Sequence, residues 1–296
     1  MFIRKLAAVG AAAAALTLAV PVQAFQVGNY HIFATPEYEA QTGRVPSLSA
    51  GEMLYYGGTV FSKVKVVSVI WGSNVDPQTV ATMPGYFKAV VNSTYLDQLK
   101  QYKTKHVHAV NGHKGSKQTI SRGTFVTQVQ ITPQNQSLNL TDNNIHKELR
   151  YQISIGALPP NDLNTLYMIF FPDDITITLD GLTSCSSFGA YHFAINDTKE
   201  KANNVFYGVM PGCHYSLNNH EIVSSHEFSE ALTDNIPTPG SSPDYPQAWN
   251  NSSGFEIGDL CEGTQGTLTT TKHTYFVQQE YLNSIAGCST GNYTSP

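Results

Sequence analysis

The spacing of hydrophobic residues changes along the chain between the two-residue period of strands and the 3.6-residue period of helices. The run 64–71 is rich in β-branched residues and ends at Gly72, which predicts a strand. The run 166–171 is nearly all apolar, which is typical of a central strand buried on both faces. The same criteria predict further strands at 124–131, 175–179, 191–195 and 205–210, and strand with loop over 275–281.

Three segments show helical spacing: 79–102, 142–155 and about 219–234. Asp142 is the predicted cap of the second helix and Gly156 its end, and Asn218 stands at the predicted start of the third. Strands and helices are mixed, with no internal repeat and no Pro/Gly linker between folded halves. The pattern therefore predicts an α+β (mixed α/β) fold, a single compact domain with a mixed sheet and an active-site helix.

The N-terminal sequence predicts export. Arg4 and Lys5 precede an apolar run, and small or aliphatic residues before Ala24 suit a signal peptidase, so residues 1–24 are a predicted signal peptide. Residues 25–52 show no sustained period and are predicted to be irregular; the domain is assigned to 53–296. No later run is long enough for a membrane span, so we expect a secreted, periplasmic or extracellular mature chain without one.

Composition narrows the classes of function. The net charge of −5 and the 13% of charged residues provide no basic surface, so nucleic acid is not an expected partner. The four cysteines favour two disulfides in an exported chain. Proximity in sequence suggests Cys185–Cys213 and Cys261–Cys288, although spacing alone leaves three pairings open. Nothing in the sequence indicates an oligomeric state.

The third predicted helix carries an unusual set of side chains. At about 100° per residue, His226, Glu227, Glu230 and Asp234 share one side, and apolar residues share the other. Like charges three and four residues apart repel each other, and no Lys or Arg stands between Lys201 and Lys272. A solvated face would tolerate this repulsion, whereas a buried face would need a bound cation or protonated acids. Metal-free carboxylate catalysis on a glycan, by a pair such as Glu227 and Glu256, is a third possibility.

The segment 226–230 reads His-Glu-x-x-Glu, which is close to the His-Glu-x-x-His of zinc peptidases. Residues four apart on a helix point the same way, so His226 and Glu230 are candidate zinc ligands and Glu227 is the candidate general base. Glu256 and Asp259 are candidates for a further ligand. Calcium is the alternative metal, because most of these donors are oxygens.

Other residues are weaker candidates for the site. Asp234 is predicted to orient a ligand or to be one itself. His192 is a candidate for a further ligand or a catalytic donor, but it is interpreted first as a hydrogen-bonded strand histidine, and His214 and His220 are interpreted as loop or cap residues. The histidines at 106, 108 and 113 form a loose cluster that could bind metal adventitiously.

The motifs resemble a known family. The segment 54–60 and the following run ending in Trp71-Gly72 resemble the opening of the plant phosphate-induced (exordium-like) proteins and their bacterial relatives, as do Ser184-Cys185, Tyr191-His192 and Pro211-Gly-Cys213. The segments 225–234 and 256–261, with Trp249 between them, are similar to the bacterial branch. The resemblance extends from about residue 53 to the end and implies an extracellular protein. In the bacterial branch only the motif is similar to zincin-type peptidases, and this chain has Glu230 where a zincin has a second histidine.

The leading hypothesis is an exported, zincin-like, metal-dependent hydrolase: a zinc peptidase that acts on a protein or peptide substrate through a metal-activated water. The alternative is a non-catalytic extracellular or cell-surface binding protein in which the same acids hold a structural calcium ion.

Overall fold

The computed structural model describes residues 26–27, 30–43, 51–195, 204–240 and 242–291. The predicted signal peptide, residues 1–24, lies outside the described residues. In the described part the strands are β1 (Gln26–Val27), β2 (Tyr30–His31), β3 (Phe33–Ala34), β4 (Leu54–Tyr55), β5 (Lys63–Trp71), β6 (Ser121–Ile131), β7 (Asn139–Thr141), β8 (Thr165–Phe170), β9 (Thr176–Leu179), β10 (Leu182–Thr183), β11 (Phe188–Ile195), β12 (Val205–Met210), β13 (Trp249–Asn250), β14 (Gln265–Thr269), β15 (Thr274–Gln278), β16 (Glu280–Leu282) and β17 (Gly287–Ser289). The helices are α1 (Pro36–Thr42), α2 (Pro77–Val90), α3 (Thr94–Asp97), α4 (Asp142–Ser154) and α5 (Leu217–Thr233), with 3-10 turns at Gln98–Tyr102 and Asp259–Cys261.

A six-stranded sheet, in the order β3-β11-β12-β8-β5-β6, forms the centre of the domain. The pairs β12–β8, β8–β5 and β5–β6 are parallel, whereas β11 runs antiparallel to both β12 and β3. The predicted α+β fold with a mixed sheet is therefore confirmed.

Each face of this sheet covers a separate hydrophobic layer. Side chains alternate along β5, so Val66 and Ile70 pack with residues of α2 and α5, while Val67 and Val69 pack with residues of α4 on the other face. All six residues of β8 are buried, which confirms the all-apolar run as a central strand. Burying each large aliphatic side chain contributes about 1.5–3 kcal/mol.

The long elements lie where the hydrophobic pattern predicts them, and their observed ends differ from the predicted ends by a few residues. The predicted helix 79–102 is divided, because Ser93 is extended (φ −135°, ψ 172°) and its hydroxyl donates to the carbonyl of Val90. Thr141, rather than Asp142, caps α4 through a reciprocal capping box with Asn144. Ser216, two residues before the predicted start, caps α5.

The N-terminal segment differs from the prediction of an irregular stretch over 25–52. Three two-residue strands and the helix α1 lie within it. A two-residue strand is too short to show a period, and α1 buries none of its residues, so neither leaves a hydrophobic pattern.

Two disulfides, Cys185–Cys213 and Cys261–Cys288, close loops in the second half of the chain. This is the pairing that sequence proximity suggested, and it is compatible with an extracellular protein. None of the described helices has the length and apolar character needed to cross a bilayer.

Candidate functional site

Helix α5 lies between the central sheet and β15, and this position buries both of its faces. Phe228, Ala231 and Leu232 join the core, as the helical pattern predicts. On the other face, His226 and Glu230 are at most 1% exposed. The acidic face is therefore buried, which rules out the alternative of a solvated helix surface.

His226, Glu227 and Glu230 form a first group whose candidate ligand atoms all lie within 4.8 Å of one another. The Nε2 atom of His226 is 3.2 Å from Oε2 of Glu230. On the other side of the ring, the Gln278 side-chain amide is 2.9 Å from Nδ1 and donates to the carbonyl of Gly258. Nδ1 therefore lies on the Gln278 side of the ring, and Nε2 faces the carboxylates.

His192, Glu230 and Glu256 form a second group of the same kind, so Glu230 belongs to both. The His192 ring comes from β11, with Nδ1 3.1 Å from Oε2 of Glu227 and 3.7 Å from Oε2 of Glu230. Its Nε2 atom is 3.7 Å from Oε1 of Glu256 and 3.0 Å from the carbonyl oxygen of Asp234. His192, which ranked low on sequence alone, thus lies between the helix and the loop that follows it.

The loop carrying Glu256 and Asp259 is held against α5 by backbone contacts. The amide of Asp259 donates to Oε1 of Glu230, and the amide of Glu256 donates to Oδ2 of Asp259. A Cβ atom added at Gly258 would lie 2.6 Å from Nδ1 of His226 and 2.8 Å from Oε1 of Glu230. Glycine therefore lets this loop approach the helix closely enough to bring Glu256 to Glu230.

Asp234 has a different position from the other predicted residues. Its carboxylate accepts hydrogen bonds from the backbone amide of Ala248 and the side-chain amide of Asn250. Only its carbonyl oxygen meets the site, at Nε2 of His192. The Asp234 side chain thus fixes the loop around Trp249, and it belongs to neither group of candidate ligands.

Two buried residues of the cluster were not identified from sequence. His31 of β2 is 1% exposed, with Nδ1 3.3 Å from Oε2 of Glu256 and 3.8 Å from Oδ2 of Asp259. Glu280 of β16 is fully buried, and its Oε1 accepts a hydrogen bond from the Tyr95 hydroxyl. Both are single polar residues on short strands, and no local spacing connects either one to His226.

Burial dominates the electrostatics of the site. Burial raises the pKa of Glu227 to about 8 and that of Glu256 well above its ordinary value. Burial lowers the pKa of His192 to about 4. Burial also opposes protonation of His226, but the carboxylates of Glu230 and Glu227 outweigh it and raise that pKa. Among the ion pairs of the described residues, the partners of these carboxylates are histidines alone.

Several buried polar atoms in this cluster have no hydrogen-bond partner: both ring nitrogens of His31, Nε2 of His226, Oε1 of Glu227 and both carboxylate oxygens of Glu256. Buried polar groups are normally paired or bound to a metal. The candidate ligand atoms of each group lie within 4.8 Å of one another, and the 3.2 Å between Nε2 of His226 and Oε2 of Glu230 is close to the spacing of about 3.3–3.6 Å between ligands around a tetrahedral zinc ion at about 2.0–2.2 Å. The residues present therefore fit a metal ion.

The remaining candidates lie outside this cluster. His220 is buried beside Phe170 and Tyr215, and His214 is exposed and contacts Asp173. The histidines at 106, 108 and 113 line a cavity in another part of the surface. Glu227 and Glu256, the pair considered for glycan hydrolysis, both face the His192 ring inside the closed cluster instead of standing across an open groove.

Comparisons of the chain with protein-family models, with curated proteins and with solved structures find no match. The resemblance to exordium-like proteins therefore stays a prediction from the motifs.

Proposed function

We propose that this protein is an exported, metal-dependent hydrolase, a zinc peptidase acting on protein or peptide substrates. The observation that supports it most is the convergence of His226, Glu227 and Glu230 with His192 and Glu256 in one buried cluster, with which no Lys or Arg of the described residues is buried. Uncompensated carboxylates are costly to bury, and a bound cation offsets that cost.

The contacts assign roles within this proposal. His226 and Glu230 hold the metal, and Glu256 completes the ligand set because its carboxylate groups with that of Glu230, whereas Asp259 belongs to neither group. When bound, zinc lowers the pKa of a water and polarises a scissile carbonyl. Glu227 keeps one carboxylate oxygen against His192 and the other without a partner. The free oxygen accepts the proton of the attacking water and returns it to the departing amine as the peptide bond breaks.

Elemental analysis of the purified protein tests the metal site. We expect about one zinc per chain in the wild type and loss of that zinc in His226→Ala. The control is His108→Ala, which removes an exposed histidine of the separate surface cluster and should retain zinc. Retention of zinc by His226→Ala together with its loss from His108→Ala would show that the metal is bound elsewhere.

A calcium-binding surface protein is the second candidate, and the predominance of carboxylate donors together with the closed site favours it. The histidines in both groups oppose it, since calcium selects oxygen ligands. The same analysis separates the two candidates. Calcium without zinc, or no metal in the wild type, would contradict the peptidase and support a binding protein without chemistry.

A further inference from the structure

The candidate site is closed in this structure. His192, His226 and Glu227 are each at most 1% exposed, whereas a peptide substrate has to bring its carbonyl within contact distance of the reacting groups. Part of the cover is the segment 30–43, which comes from the N-terminal end of the chain and contributes β2, β3 and α1.

This segment binds as an added strand. In β3, Ala34 pairs with Phe188 and Phe33 with Ala190, antiparallel to β11. The hydroxyl of Thr35 donates to the carbonyl of Ser186, which extends the contact beyond the strand. Without β3, β11 would be the edge of the central sheet. Exposed sheet edges bind extended peptides through main-chain hydrogen bonds.

The side chains of the segment point into the site. His31 lies 3.3 Å from the Glu256 carboxylate, and neither of its buried ring nitrogens has a hydrogen-bond partner. The Phe33 ring packs edge-on against His226, with 4.9 Å between ring centroids. The segment therefore contacts a predicted ligand on each side of Glu230.

The outer part of the segment is less buried than β2 and β3. Helix α1 buries none of its residues. A cavity of about 240 Å³ lies between it and the loop after Asp259, and the side chains of Glu39 and Glu262 hydrogen-bond to each other there. At the other end, the Tyr30 hydroxyl donates to the Asp142 carboxylate at 2.8 Å, and the Tyr30 ring packs against Tyr191 and Phe193. Elements with little buried apolar area open at low free-energy cost, so we expect α1 to detach more readily than the stretch 30–34, of which Ile32 and Ala34 lie in the core.

We infer that residues 30–43 are a built-in inhibitor of the site, placed on the β11 edge where an extended peptide would pair, with His31 and Phe33 covering the ligands. This inference rests on the proposed function. An extended peptide competes with the segment for the same edge, so the accessible fraction of the protein depends on how often the segment is displaced.

The test uses the full chain loaded with zinc, with its intact mass measured to show that the segment is present. We compare wild type, His31→Asn, Phe33→Ala and the control Gln41→Ala, which alters an exposed residue of α1. Two rates are measured: zinc transfer to a chromophoric chelator, and cleavage of unfolded casein. We expect both substitutions at the site to accelerate zinc transfer by about tenfold and to increase cleavage, and Gln41→Ala to match the wild type.

The outcomes separate this inference from the proposed function. Equal transfer rates in all four proteins would overturn the inhibitor while leaving the metal site intact. Loss of zinc in His31→Asn with wild-type behaviour in Phe33→Ala would also overturn it, since His31 would then be a permanent ligand. Faster transfer without any cleavage would support the covering segment and contradict the hydrolase. A wild-type protein that binds no zinc would contradict both the inhibitory segment and the metal-dependent hydrolase.

Discussion

At the scale of single residues, the two carboxylate oxygens of Glu227, the proposed general base, have different surroundings. One oxygen is 3.1 Å from Nδ1 of His192, while the other is buried and unpaired. We expect Glu227→Gln to reduce hydrolysis by about 10²–10⁴-fold, because the amide cannot accept the proton of the attacking water. Zinc content should stay unchanged, since the ligands in the proposal are His226, Glu230 and Glu256.

The matched control is Glu221→Gln, on the same helix and also buried, where the carboxylate accepts the backbone amide of Phe276 outside the site. Steady-state rates on casein and zinc content are measured for both variants. Wild-type turnover in Glu227→Gln would refute this role of Glu227, and an equal loss in Glu221→Gln would indicate a general effect of altering a buried acid of α5.

The same scale shows how much of the site the sequence predicts. His226, Glu227 and Glu230 stand within five residues of one helix, so helical geometry alone places them together. His192 comes from β11, which packs on α5, and His31 comes from β2, which packs on β11, so only the tertiary fold brings them to the cluster. A lone histidine among apolar residues is usually a hydrogen-bonded core residue. What marks these two as part of the site is tertiary: the ring nitrogens of His31 have no hydrogen-bond partner, and His192 contacts Glu227.

At the scale of elements, predictability depended on length. The strand predicted at 64–71 is observed as Lys63–Trp71, and the helix predicted at 142–155 as Asp142–Ser154. Long elements repeat their period several times, so the pattern is clear. The break between α2 and α3 depends on one serine, and β3 has two residues. Neither feature leaves a periodic signal.

The two disulfides allow a prediction about the loop that carries the candidate ligands. Their sequence separations are 28 and 27 residues, so loss of either should lower the free energy of unfolding by about 3–4 kcal/mol. Only Cys261 directly follows the segment with Glu256 and Asp259. We therefore expect a Cys261→Ser/Cys288→Ser protein to bind zinc more weakly, by about tenfold, and Cys185→Ser/Cys213→Ser to keep wild-type affinity.

Urea unfolding and competitive zinc titration measure these two quantities in the same samples. Equal zinc affinity in both double variants, at equal loss of stability, would show that the disulfide at Cys261 does not position the ligand loop.

At the scale of the whole molecule, one buried carboxylate joins the N-terminal segment to the domain. Asp142 of α4 accepts hydrogen bonds from the hydroxyls of Tyr30, Tyr191 and Tyr207, and Nε2 of His146 is 2.7 Å from its Oδ2. These donors come from β2, β11, β12 and α4. Burial raises the pKa of Asp142, but the contacts with His146 and the tyrosines outweigh burial and leave the pKa below its ordinary value.

A carboxyl whose pKa is lower in the folded state stabilises the fold when ionised. This contribution is complete above the unfolded pKa of about 3.9 and is lost as the pH falls through the lower folded value.

We expect Asp142→Asn to lower the free energy of unfolding by about 3 kcal/mol near neutral pH, and the difference from wild type to shrink below about pH 4. The control is Asp162→Asn, whose carboxylate pairs with Lys65 at the surface and should contribute under about 1 kcal/mol. Denaturant unfolding from pH 3 to 7 measures the free energy of unfolding of both variants. A loss of stability in Asp142→Asn that is independent of pH would show that neutral hydrogen bonds, and not the charge of Asp142, connect these elements. Because Tyr30 belongs to the segment that covers the site, the same substitution should also accelerate zinc transfer to a chelator.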